Sequence, residues 1–222
     1  MAGETMTDRD HALIAEAIRK AEESTAGEIY CVVARRSDGY FFSAAMVFTV
    51  SILVISLAVA FLMETWWLTM RLPVFVSAQL LALAAALALV YVLPGLRIRL
   101  APRRWQYMRA HDNALKQFLA RNVHLTAERT GVLIFVSLAE HYAEIVADAG
   151  INAKVPQDMW DSIVAGLLED ARRDRLTDGF VTAIAAVGAL LAEHFPPRPD
   201  DVNELDDHLV EICSLPKTTW MG

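Results

Sequence analysis

Residues 41–63, FFSAAMVFTVSILVISLAVAFLM, carry no charged side chain, and neither do residues 74–94, VFVSAQLLALAAALALVYVLP. A helix rises about 1.5 Å per residue, so roughly 20 apolar residues cross a hydrocarbon core about 30 Å thick. Core helices of soluble domains seldom run that far without one charge to face water. The pair predicts a transmembrane hairpin over residues 41–96, with spans at 41–63 and 74–94, and the rest of the chain must fold around it. The connector, ETWWLTMRLP, is short. Trp66 and Trp67 suit a membrane–water interface, and Pro73 suits the first turn of the second helix.

Basic residues near the spans set the expected orientation. Arg35 and Arg36 precede the first span, and Arg97, Arg99, Arg103, Arg104 and Arg109 follow the second. The connector holds only Arg71, offset by Glu64. The positive-inside rule then places both termini in the cytoplasm and the connector outside, as in a multi-pass protein of the inner membrane. Arg97, Arg99, Arg103 and Arg104 are also candidates for contact with anionic headgroups of the bilayer, although a topology signal alone accounts for them equally well. Composition agrees: 55% of residues are hydrophobic and the mean hydropathy is +0.34. A net charge of -7 gives nucleic-acid binding no electrostatic footing. Cys31 and Cys213 lie far apart without metal-ligand spacing, so both are expected as free thiols. The charged opening lacks an apolar stretch before a small-residue cleavage site, so no secretory signal is expected.

The flanks read as α/β. Thr7-Asp8-Arg9-Asp10 looks like a helix cap, and Leu13, Ile14, Ala17, Ile18 and Ala21 recur at helical spacing. Glu28–Ala34 is β-branched and aromatic enough for a strand. Helix and strand alone cannot bury a core, so residues 1–38 need a partner after the spans. There, 103–121 predicts a helix with Trp105, Met108, Leu115, Phe118 and Leu119 on one side. Residues 130–137 and 142–148 predict a hairpin. Pro156 and Asp158 open a helix with Trp160, Ile163, Val164, Leu167, Leu168 and Ala171 inward. Thr177 is expected to cap another, with Val181, Ile184, Ala185, Gly188, Leu191 and Phe195 inward, stopped by the prolines at 196–199. Residues 196–222 read as an acidic C-terminal tail, loosely attached or helical. The expectation is one α/β/α sandwich around a small mixed sheet, built from residues 1–38 and 101–195 and interrupted by the membrane hairpin.

The order helix, ESTAGEIYCVVA, helix, RTGVLIFVSLAEHYAEIVADAGI, Trp-bearing helix and DGFVTAIAAVGALLAEHFP resembles the TPM-domain family, in its bacterial membrane branch. The weight lies in the order of several short stretches across residues 8–195. The resemblance implies an α/β sandwich. It also implies two competing roles: a binding, assembly or regulatory module for a membrane protein complex, or a phosphatase dependent on a divalent cation such as calcium or magnesium. Many relatives carry an Asp-Asp-Arg-like turn after the first hairpin strand, where this chain has Ser137-Leu138-Ala139-Glu140-His141.

Glu140, His141 and Asp148 are the candidates for metal binding or proton transfer. Neighbours on a strand point to opposite faces, which favours a polar turn over a converging pair. Asp148, before Ala149-Gly150, suits a cap. Phosphoryl transfer needs positive groups around the phosphate. Arg172, Arg173 and Arg175 qualify by charge, yet they sit where a helix C-terminus favours cations anyway. His11, His111, His124, His194 and His208 show no ligand spacing. The sequence expectation is therefore a partner-binding module, with no resident cofactor and no catalytic residue assigned.

Overall fold

The computed structural model describes residues 6–66, 71–123, 126, 129–197 and 207–212. It divides into two compact units: Met1–Asp38 with Tyr107–Gly222, and Gly39–Gln106.

The first unit is built on a mixed four-stranded sheet. β1 (Glu28–Ala34) runs parallel to β2 (Gly131–Ser137), with Glu28 opposite Gly131 and Ala34 opposite Ser137. β3 (Tyr142–Ala147) returns antiparallel to β2. β4 (Leu209–Ile212) adds parallel to β1, giving the order β3-β2-β1-β4. Every residue of β1 and β2 is buried. That is why both strands read as unbroken apolar runs and not as alternating ones: each face of the sheet is covered. Ile29, Cys31, Val33, Val132, Ile134 and Val136 join one core, and Tyr30, Val32, Leu133 and Phe135 join the other.

Three helices cover the first face. α1 (Asp8–Glu22) starts at a capping box, in which the Thr7 hydroxyl accepts from the Asp10 amide and the Asp10 carboxylate accepts from the Thr7 amide at 2.9 Å. It buries Ile14, Ile18 and Ala21. After the single turn α6 (Ala149–Asn152), α7 (Gln157–Arg172) buries Trp160, Leu167 and Ala171 along its expected stripe. α8 (Leu176–His194) differs from expectation in two respects. Its buried set is Gly179, Phe180, Ala183, Ile184, Val187, Gly188 and Leu191, turned by about one residue from the anticipated stripe, so Ala185 faces out. Thr177 lies inside its first turn and donates to the Asp10 carboxylate at 3.0 Å, which ties α8 to α1. Gly188 permits the helices to meet: an added Cβ there would sit 2.7 Å from the Cβ of Ala21.

α5 (Arg103–Ala120) supplies residues 107–120 to the other face, and here Phe118 is buried as expected but the rest of the expected side in that segment is overturned. Ala110, Asn113, Ala114, Gln117 and Phe118 are buried, whereas Met108, Leu115 and Leu119 are exposed. Small and amide side chains let the helix lie close to the sheet and reach polar groups below it. The acidic C-terminal stretch also differs from expectation. Residues 209–212 form β4, held by the Ile212 carbonyl accepting from Arg35 N and by the Glu211 carboxylate, which meets His11 at 3.1 Å. Arg198 and Pro199, part of the expected helix stop, and Cys213 and His124 lie outside the described residues. Cys31 is a free, buried thiol.

The second unit is helical. α2 (Phe41–Thr65) and α3 (Leu72–Val92) pack together, and Gln79 Nε2 donates to Ser56 Oγ between them at 3.4 Å. Pro73 falls in the first turn of α3, where a missing N–H costs nothing. α4 (Pro94–Leu100) follows. α2, α3 and α8 are each long and apolar enough to cross a membrane.

Candidate functional site

β1 and β2 end side by side, and the loops leaving their carboxyl ends are where parallel sheets generally place ligands. The ladder continues past the strands: Leu138 N donates to Ala34 O at 2.9 Å and Ala139 N to Arg35 O at 3.1 Å. The two exit loops, 35–38 and 138–141, are thereby held together.

Between them lies a buried polar chain. Glu140 is 3% exposed; one carboxylate oxygen accepts from Ser37 N at 3.0 Å and the other from the Ser137 hydroxyl at 2.5 Å. Ser137 has one proton and gives it to Glu140, so at the 2.7 Å contact between the two hydroxyls Ser37 is the donor. Asn113 Nδ2 donates to Ser37 Oγ and Gln117 Nε2 to Asn113 Oδ1, both at 3.4 Å. Every donor in the row therefore points toward the Glu140 carboxylate. A carboxylate taken from water needs such donors to offset its lost hydration. Asn113 and Gln117 escaped the sequence analysis because α5 was read by its large apolar residues. Two amides four apart on a helix otherwise rich in charge were the available signal.

The three sequence candidates do not converge. His141 has φ 50°, donates its amide to Leu138 O at 3.3 Å and turns an exposed side chain outward, away from buried Glu140. Asp148 lies at the far end of β3, roughly 20 Å away at about 3.4 Å per strand residue. It caps α6: Oδ1 accepts from Ala149 N at 2.6 Å, and its carbonyl accepts from Ile151 N and Asn152 N. The arginines weighed for phosphate are engaged beside their own helix, Arg172 and Arg173 with Glu169 and Arg175 with Asp170. Among the described residues no group of three or more His, Cys, Asp or Glu is placed to hold a metal ion.

Beside the polar chain lies a group the sequence analysis did not single out. His111 Nδ1 is 2.9 Å from both Glu144 oxygens, the Tyr142 hydroxyl donates to Glu144 at 2.9 Å, and the Tyr107 ring lies against that of Tyr142. Burial, and then the Glu144 charge, push the Tyr142 hydroxyl above its ordinary range. Arg109 pairs with Asp38 at 3.2 Å nearby. Alternation along β3 was the legible clue, because Tyr142, Glu144 and Val146 must share the face that α5 covers. The group can hold a proton or present charge.

In the helical unit, Trp66 caps α2 and is exposed; Trp67 lies outside the described residues. Arg97 is spent on structure, donating to the Val90 and Tyr91 carbonyls at 2.7 Å and lying over the Phe41 ring. It caps the C-terminus of α3. Arg99, Arg103 and Arg104 are exposed.

Residues 96–190 match the family described as the TPM domain. No curated protein matches the chain. Among solved structures the fold is similar to the BA42 protein of the psychrophilic bacterium Bizionia argentinensis, at 20% identity, TM-score 0.58, covering 95% of this chain and 98% of that one. At that identity the likeness shows the fold.

Proposed function

We propose that this chain, whose residues 96–190 match the TPM-domain family, works as a membrane-anchored binding or regulatory module for another membrane protein or complex. The carrying observation is the engagement of Glu140. In the turn after β2, the Glu140 carboxylate is buried and bonded on both oxygens, by Ser37 N and Ser137 Oγ. It locks the β1 exit to the hairpin turn and leaves the loops a fixed surface. A general acid or metal ligand needs an oxygen open to its target. The anchor in this proposal is the α2–α3 hairpin, in the inner membrane with both termini cytoplasmic.

The test is cross-linking of the full chain in native membranes, followed by a monoester assay of the purified protein in detergent. A stoichiometric membrane-protein adduct that survives Glu140→Gln is expected. Hydrolysis of a generic phosphate monoester that needs added magnesium or calcium and is lost in Asp148→Asn, with unchanged melting, overturns the proposal in favour of a phosphatase.

A further inference from the structure

Among the described residues β3 is an edge strand with one neighbour, β2. Asp148 N donates to Gly131 O at 3.0 Å, which identifies that pair as a hydrogen-bonded rung of the antiparallel ladder. Counting back by two, Val146, Glu144 and Tyr142 turn their main chains toward β2. Ala143, Ile145 and Ala147 turn theirs outward. The Ala147 carbonyl confirms the direction by accepting from Asn152 Nδ2 at 2.8 Å. The outward N–H and C=O of Ala143 and Ile145 have no partner among the described residues.

That edge lines one side of a groove of about 400 Å³, with Asn152, Gln157, Trp160, Asp161 and Val164 on the other. Trp160 is 3% exposed, and its indole N–H has no acceptor among the described residues. Proteins ordinarily guard an edge with lysine, proline or a bulge. YAEIVA contains neither lysine nor proline and pairs with β2 without a break in register.

We propose that this groove takes an extended, basic segment of a partner protein, which adds to β3 as a further strand. The inference rests on the module reading above and gives the module its docking site. An extended main chain matches the open rungs at Ala143 and Ile145, and one of its carbonyls can take the Trp160 N–H. The charged residues lining the groove are Asp161, exposed on its rim, and Glu144, whose carboxylate is held by His111 and Tyr142, with no Lys or Arg among them. A second copy paired symmetrically through β3 brings these carboxylates toward their own counterparts, in a chain already at net charge -7. Lysine or arginine on the incoming strand meets exposed Asp161 instead.

The probe is a short, dye-labelled peptide of alternating lysine and valine, titrated into the full-length protein in detergent micelles. Binding is expected, with slowed amide exchange at Ala143 and Ile145. Methylating alternate peptide nitrogens should abolish it, because the rungs are then blocked. Asp161→Lys, on the exposed rim, should weaken it about tenfold. Ile145→Pro removes an outward N–H without touching the β2 ladder and should abolish it; if that variant melts early, Asp161→Lys and the methylated peptide still decide. No binding, equal binding of the methylated peptide, or unchanged exchange at the two amides overturns the proposal. A native partner that cross-links equally to wild type and Asp161→Lys overturns this docking site and leaves the module reading intact. Peptide binding as expected, with no membrane-protein adduct in native membranes, supports the groove and overturns the module reading alone.

Discussion

α8 and the α2–α3 pair are all long and apolar enough to cross a membrane, yet their sides are covered very differently. α2 and α3 are exposed along almost all of their apolar length, whereas about two-fifths of that of α8 is buried. α8 spends its apolar residues on α1, α7 and the sheet, and it carries Asp178, Glu193 and His194 near its ends. α2 and α3 pack on each other along one side and leave Leu57, Phe61, Leu80 and Leu81 exposed. Length and apolar character alone therefore do not say whether such a helix is packed inside its unit, and coverage of its sides does.

Topology offers the largest effect by which this contrast can be broken. Two spans return both termini to one side, whereas three leave them on opposite sides. Reporter fusions at Ala2 and Gly222 should both read as cytoplasmic, and one at Thr69 as external. Opposite readings for the two ends would make α8 a span. Within the folded unit, Phe180→Ala should lower stability by about 3–5 kcal/mol, the usual cost of emptying an aromatic site in a core. Leu81→Ala should leave the same melting transition unmoved. A matching loss in both, read by calorimetry in detergent, erases the distinction.

A smaller effect is pH dependence, and it too should act on the α8-bearing unit alone. Glu22, at the end of α1, is pushed up to about 8, first by burial and then by the Glu28 and Asp207 charges, against the bond from Ile29 N. The folded value lies above the unfolded one near 4.5. Stability is thus complete below about pH 4.5 and falls as pH rises toward 8, because the unfolded chain ionises first. Glu22→Gln should flatten that slope and raise the melting temperature at pH 8, by an effect on the order of 2–3 kcal/mol after discounting partial exposure. An unchanged slope in the variant assigns the dependence to another group.

Much of this architecture is legible because period and burial coincide. Residues 29–34 of β1 and 131–136 of β2 are apolar and buried on both faces, and α7 shows its core stripe directly. β4 was illegible: LVEI is four residues inside an acidic run, and its strand state depends on β1 offering an edge. At the candidate site, Asp148 as a cap and the outward turn of His141 followed from local rules. The burial of Glu140 did not, because it depends on Ser37, more than a hundred residues earlier in the chain.

α5 shows the same limit and carries the smallest effect. Its large side chains at 108, 115 and 119 form a clean stripe, yet they face outward, while Asn113 and Gln117 are buried under the polar chain that ends at Glu140. Packing was decided by what the sheet's end needed: donors for a buried carboxylate. Leu119 is 57% exposed, so Leu119→Ser should shift stability by no more than about 0.5 kcal/mol. Asn113→Leu adds hydrophobicity on the buried side and should instead cost about 1–3 kcal/mol, since it removes the Ser37 donor and leaves the Gln117 amide without its acceptor. Thermal melts of the two variants side by side decide which face is inside. If Leu119→Ser is the costly one, the apolar stripe is the buried face and the Asn113–Ser37–Ser137–Glu140 row is not what seats α5.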